Sequence, residues 1–261
     1  MPNLDAMKTF FSTIVFCACF IVLHAQSVRI LSYNIHHGNP PGHPNKIDLP
    51  HIAEVIKASD ADVVGIQEVD IRVSRSQMVD QAKELANLTG MHYFFSKGID
   101  LEEGEYGTLI LTKHKIVGNK RYDLPMVEKS ENRSLAVVDV ELPTGQVLSF
   151  ANTHLDLKAK NKVAQANYIK ELGARIENPL ILVGDFNAKP SDETIKILEE
   201  QFIRNTTSNG PTHPNTGAKN EIDYIMVGKQ TKFSWKAYKT IPETYASDHL
   251  PVFAEIEITL Q

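Results

Sequence analysis

The stretch at residues 180–190, LILVGDFNAKP, sets the terms of the fold. Four apolar residues in a row read as a strand buried on both faces rather than one lying on a solvated sheet. The run passes through Gly184 and stops at Asp185 and Asn187, with Phe186 between them. A rigid apolar strand that delivers a carboxylate and an amide where it leaves the core implies a site at the strand end.

The rest of the chain extends that pattern. Strands are predicted at 28–34, 62–69, 92–97, 106–113, 132–142, 146–155, 180–186, 222–228, 232–240 and 251–260. Helices are predicted at 49–58, 78–88, 158–176 and from a Ser191 cap to about residue 201. The PTG at 143–145 marks a hairpin turn. Many strands with helices between some of them, and no repeat or linker, predict one α+β domain of two sheets with helices packed outside.

Period-two alternation then decides which side chains share a face. In SFANTHLDL, Asn152, His154 and Asp156 fall on one side of the strand. In VVGIQEVD, Val64, Ile66 and Glu68 share a face, and in ILSYN, Ser32 and Asn34 follow Ile30. In EIDYIMVG, Asp223 shares a face with Ile225 and Val227, so it points inward and needs a donor or cation. SDHLP, with Asp248 and His249, supplies the candidate partner, since an imidazole held by Asp223 is favoured in its charged form. Oxygen donors without a thiol suit a hard cation, Mg²⁺ or Mn²⁺, rather than a structural zinc. With no phosphate loop, serine elbow or HExxH helix, attack by an activated water is the chemistry left.

Composition limits the partners. The formal charge of −5 does not suggest a general nucleic-acid binder, though a locally basic cleft stays compatible with it. Lys158, Lys160, Lys162 and Lys170 share one predicted helix, while Lys113, Lys115, Lys120 and Arg121 gather at a predicted turn; either set could line such a cleft or be a solvated face. The apolar run at 10–23 follows Lys8 and is too short to span a bilayer, which takes ~20 residues. It reads as a secretory leader over residues 1–25, with a retained anchor or a lipid-modified Cys19 as alternatives. Cys17 and Cys19 both lie within it, so an exported domain at 26–261 would carry no disulfide. No membrane-inserting element is visible in that domain, and Trp235 alternates like an ordinary strand residue.

SYNIHHG, IQEVD, YGTLILTK, ENRSLAVVDV, NTHLD, GDFNA, IDYIMV and SDHLP occur in this order, and the chain resembles the endonuclease/exonuclease/phosphatase superfamily over 29–258. The resemblance implies a four-layer αββα sandwich of two mainly antiparallel sheets, with the site along their top edges. It implies Glu68, Asn34 and Asp248 as the metal region, Asp185 as base or orienter of water, and Asn187 as a donor to the phosphoryl group. His249 backed by Asp223 would meet the scissile phosphate, and His154 would be the acid for the leaving oxygen. Apurinic endonucleases carry another residue at the His154 position, so the chain leans away from that branch. Arg133 matches an arginine that meets substrate phosphate, or it forms a strand-edge salt bridge. Asn152, Arg72 and Arg75 complete the candidate substrate contacts, although the two arginines could equally pair with neighbouring acids. His36 and His37 could add metal contacts or belong to a solvated loop. The expected activity is an exported, Mg²⁺- or Mn²⁺-dependent phosphodiesterase or phosphatase acting on a small or lipid-derived ester. A secreted nuclease is the closest rival. A silent binding module would have lost one of these acids or histidines, and none is lost.

Overall fold

A computed structural model describes residues 25–207 and 210–259. The leader expected at 1–25 therefore lies outside the described residues except for Ala25, which opens the first strand. One sheet runs in the order β11 (Phe233–Thr240), β12 (Val252–Thr259), β1 (Ala25–Asn34), β2 (Val63–Ile71), β4 (Gly104–Thr112), β3 (His92–Leu101). The other runs β5 (Lys115–Asp123), β6 (Ser134–Glu141), β7 (Val147–His154), β8 (Leu180–Asp185), β10 (Asp223–Gly228), β9 (Phe202–Arg204). Each sheet holds one parallel pair at its centre, β1 with β2 and β7 with β8, and the other pairings are antiparallel.

A parallel pair needs a crossover, and helices supply both. Helix α1 (Leu49–Ser59) joins β1 to β2, and α3 (Ala159–Gly173) joins β7 to β8. With α2 (Gln81–Thr89) and α4 (Glu193–Glu199) they form the outer layers, giving the four-layer αββα order. Asp48 caps α1 by accepting from the His51 amide, and Asp80 caps α2 by accepting from the Lys83 amide. Helix α2 starts later than predicted because Gln77 and Met78 take left-handed backbone (φ 59° and 60°), which no helix accommodates.

The unbroken apolar run of β8 now has its reason. Ile181 and Val183 pack between the sheets with Val28, Ile30, Phe150 and Ile225, while Leu180 and Leu182 face α3 and α4 with Ala166, Ile169 and Leu198. Burying such an aliphatic side chain contributes on the order of 1.5–3 kcal/mol, so the strand is held from both sides and its end is rigid. Gly184 completes the placement. Its φ is 152° and a Cβ there would stand 2.0 Å from the Thr153 carbonyl oxygen, so only glycine lets β8 lie against β7 at this point.

Two features differ from the sequence reading. The turn expected around Lys113 to Arg121 is instead strand β5, whose alternating exposure and charged residues suit a sheet edge. The short strand β9 also pairs at the opposite edge of that sheet. Trp235 packs against the inter-sheet core edge-on to Phe233 and Tyr238. Among the described residues no helix is long and apolar enough to cross a membrane.

Candidate active site

The carboxyl ends of the two parallel pairs meet across the sandwich. Asn34 closes β1 and is fully buried; its Nδ2 donates to Glu68 Oε1 at 3.1 Å and to Asp185 Oδ2 at 3.0 Å. One amide thus ties a carboxylate of each sheet to the other. Its Oδ1 accepts from the His36 amide at 3.1 Å, which fixes the amide's orientation.

Glu68 does not reach this point by simple alternation. Val64 and Ile66, the residues expected to share its face, pack under α1 and α2. The pairing of β2 with β4 shifts register between Ile66 and Val69, and Glu68 takes φ 59°. This bulge turns the side chain from the helix-covered face toward the other sheet. Burial alone would push the Glu68 carboxyl up, but His37, His154 and Asn34 together hold it well below the usual range, so it stays ionised.

Asp185 accepts from Asn34 and, through Oδ1, from the Asn187 amide at 2.9 Å. Burial beside Asp223 raises it to about 7, against the opposing pull of His249. The turn that carries it is pinned by Phe186, buried and stacked on Tyr224 at 5.3 Å, whose hydroxyl donates to the Ala188 carbonyl. Asn187 has left-handed backbone, and its Nδ2 donates to the Leu155 carbonyl while facing His154 Nε2 at 3.0 Å.

His249 and Asp223 form a buried pair, with Nδ1 2.9 Å from Asp223 Oδ2. The same oxygen accepts from the Thr212 hydroxyl at 2.5 Å. Burial would lower His249, but Asp223, then Asp185 and Asp248, outweigh it and raise the imidazole to about 10. Its Nε2 stands 3.8 Å from Asp185 Oδ2. A fixed cation therefore faces a carboxylate that titrates near neutrality.

The Endonuclease/Exonuclease/phosphatase family matches this chain over residues 31–249. The chain belongs to that family. Solved structures agree on the fold. A family protein from Bacteroides thetaiotaomicron superposes with TM-score 0.76 at 21% identity, covering 91% of this chain and 100% of its own. A mannosyl-6-phosphatase from the same organism gives 0.70 at 21% identity, over 89% and 100% of the two chains. The human Nocturnin catalytic domain with bound sulfate gives 0.70 at 19%, over 89% and 94%.

Within this family site, several expectations need correction. His154 was expected to be an acid, yet its Nδ1 faces Arg133 Nη1 at 3.4 Å and its Nε2 faces the Asn187 amide nitrogen. Burial, and then the neighbouring arginine, lower it to about 3, so the free site holds it neutral, one ring nitrogen accepting and the other carrying the proton, with Nε2 also 3.5 Å from Asp185 Oδ2. Arg133 forms the strand-edge salt bridge, its Nη1 2.8 Å from Glu131 Oε1, while its buried Nε has no hydrogen-bond partner. Asn152 is no substrate contact: fully buried, its Nδ2 donates to the Ile66 and Leu109 carbonyls and its Oδ1 accepts from Gln67, stitching the two sheets together. Arg75 is spent on a two-pronged pair with buried Asp70, both bonds 2.9 Å, and lies over Tyr106. Arg72 is exposed on left-handed backbone beside this group. Asp156, which alternation placed with His154, instead accepts from Ser130, Asn161 and the Lys158 amide at the start of α3.

Asp248 is partly exposed, and His213 Nε2 approaches it at 3.7 Å. His213, Asp248 and His249 bring ligand-type atoms within 4.8 Å of one another, as do Asp185, Asp223 and His249. The second set is already a hydrogen-bonded charge network. His213 was missed in the sequence; its only signal is the THP ahead of Asn215, which anchors the SDH loop through the Thr244 and Ser247 carbonyls. His37, read there as a loop residue with metal contact as the lesser option, stands 3.1 Å from Glu68. The donor set fits a divalent cation: Glu68 is ionised, Asp248 has an open side, and the buried His37 Nδ1 beside Glu68 has no hydrogen-bond partner.

Proposed function

We propose that the protein is a divalent-metal-dependent phosphoric ester hydrolase acting on a small or lipid-derived phosphate ester. Glu68, Asn34 and Asp248 would hold Mg²⁺ or Mn²⁺, which when bound polarises the phosphoryl oxygens. The observation that carries the reading is Asp185, a buried carboxylate raised to about 7 and aimed by Asn34 and the Asn187 amide. A base is most effective when it titrates near the working pH, so Asp185 takes the proton of the attacking water. The His249 imidazolium, held by Asp223, meets the charge that grows on the phosphoryl oxygens and has a proton to give to the leaving oxygen. Neutral His154 orients Asn187 rather than acting as the acid.

A small substrate is favoured over nucleic acid because much of the charge on both candidate basic surfaces is paired with acids. Lys160 pairs with Glu128, Lys170 with Glu200, Lys113 with Asp60 and Arg121 with Asp123. Lys158 and Lys162 donate to backbone carbonyls. The likeness to a mannosyl-6-phosphatase points the same way. Export through the leader at 1–25 belongs to the same proposal, and sequencing the N-terminus of the secreted form checks it.

The test is hydrolysis of sugar phosphates, inositol phosphates, sphingomyelin, bis-p-nitrophenyl phosphate, RNA and plasmid DNA, each with Mg²⁺, Mn²⁺ or chelator. Metal-dependent turnover of a small ester is expected. No turnover of any ester would refute the proposal, and DNA cleavage far above the small esters would replace it with a nuclease.

A further inference from the structure

Glu68 has a neighbour whose placement no substrate contact explains. His37 Nδ1 is buried and has no hydrogen-bond partner, yet it lies 3.1 Å from Glu68 Oε2. A buried ring nitrogen without a partner is disfavoured unless something else meets it. The backbone is also forced: His36, His37 and Glu68 all take left-handed conformations, at φ 46°, 45° and 59°. Three such residues at one site mark a placement that the surrounding structure imposes.

The means of imposing it is visible. Gln81, fully buried at the start of α2, donates from Nε2 to the His37 carbonyl at 2.6 Å and accepts at Oε1 from the Asp70 amide at 2.9 Å. Gln81 therefore ties the His37 turn to the strand that carries the Glu68 bulge. On the other side, the His36 ring lies 4.4 Å from the His37 ring, and its Nδ1 is held at 2.9 Å from the Asn39 carbonyl. Both flanks of the imidazole are fixed, and its nitrogen converges with a Glu68 carboxylate oxygen at ion-pair distance.

Two adjacent ligands of an octahedral cation with bonds of about 2.0–2.2 Å lie about 3 Å apart. His37 Nδ1 and Glu68 Oε2 have that spacing. We propose that His37 is a nitrogen ligand of the catalytic cation beside Glu68, and that it shifts the site away from Mg²⁺, which gives up its water shell reluctantly, toward Mn²⁺, the transition-metal ion of the pair. This rests on the metal-dependent reading above.

The test is pulsed electron paramagnetic resonance of Mn²⁺ bound to the full chain, with calorimetric Mn²⁺ and Mg²⁺ affinities, for the wild type and His37→Asn. Asn tolerates left-handed backbone, so the turn is kept, and a thermal melt checks that it is. The wild type should show nitrogen coupling from one imidazole, lost in His37→Asn. Mn²⁺ affinity should fall about 10- to 100-fold while Mg²⁺ affinity changes less than about threefold. Coupling that is absent from the wild type, or that survives His37→Asn, overturns the assignment, as would equal losses for the two ions. If the wild type binds neither cation, this inference and the metal-dependent reading fall together. Nitrogen coupling in a protein that hydrolyses no ester would leave His37 as a ligand and remove only the proposed activity.

Discussion

Replacing Asp223 with Asn removes a charge from the centre of the site while leaving an oxygen where Thr212 and His249 expect one. In the native protein Asp223 Oδ2 is buried, 2.9 Å from His249 Nδ1, and the imidazole is raised from 6.5 to about 10. At about 1.4 kcal/mol per pH decade, that difference corresponds to roughly 4–5 kcal/mol, of which Asp223 supplies the largest part and Asp185 and Asp248 the rest. Breaking a buried pair by deleting one partner costs about 3–5 kcal/mol, which agrees. The sign follows from linkage: a group whose folded pKa is raised stabilises fully below its unfolded value of 6.5, and the contribution is lost as pH rises through about 10. Asp223→Asn should therefore be about 3–5 kcal/mol less stable than the wild type at pH 6, with the gap closing toward pH 10. Urea unfolding at the two pH values measures it. A titration of the His249 Cε1 proton by nuclear magnetic resonance should move from about 10 to below about 8, since Asp185 and Asp248 still support the cation. Turnover at neutral pH should drop at least ~10²-fold. A His249 that still titrates near 10 in the variant, or an equal loss of stability at pH 6 and pH 10, would refute the reasoning.

Asp185→Asn should abolish turnover yet raise stability by about 1–3 kcal/mol at pH 8. A carboxyl raised from 3.8 to about 7 disfavours folding increasingly as pH climbs through that window, and thermal melting at pH 4 and pH 8 would show the crossover. Asn152→Ala should cost about 2–4 kcal/mol by stranding the Ile66 and Leu109 carbonyls and the Gln67 amide; KM should stay unchanged in the folded variant. Gly184→Ala should cost at least ~2 kcal/mol, because φ 152° and the Thr153 carbonyl both exclude a Cβ, and equilibrium denaturation will report it. A chelator should stop hydrolysis without altering the far-ultraviolet circular dichroism, and added Mn²⁺ should restore it.

What could be read from the chain depended on whether a residue obeyed the local period. LILV and the strands around it announced themselves because both of their faces are apolar, and the ends of β1, β7 and β8 placed Asn34, His154 and Asp185 in one region. Asp223 could be set inward because it shares a face with Ile225 and Val227. Glu68 defeated the same rule, since a bulge at left-handed backbone reverses the face that alternation assigns. Strand β5 was hidden by its charges, which belong to an edge rather than a turn. The neutrality of His154 comes from burial and then from Arg133, which approaches it from the adjacent strand edge, a relation that no spacing along the chain encodes. His213 and Asp248 likewise meet only after the loop held by Asn215 has folded back.

The pairing of β1 with β12 sets how the protein can be attached to anything else. Ala25 lies opposite Thr259, so β1 starts beside the end of β12 and spans ten residues to Asn34. At about 3.3 Å per residue that is ~30 Å from the attachment point to the site. A tether or surface joined beside Ala25 or Thr259 would therefore meet the sandwich at the edge opposite the cleft.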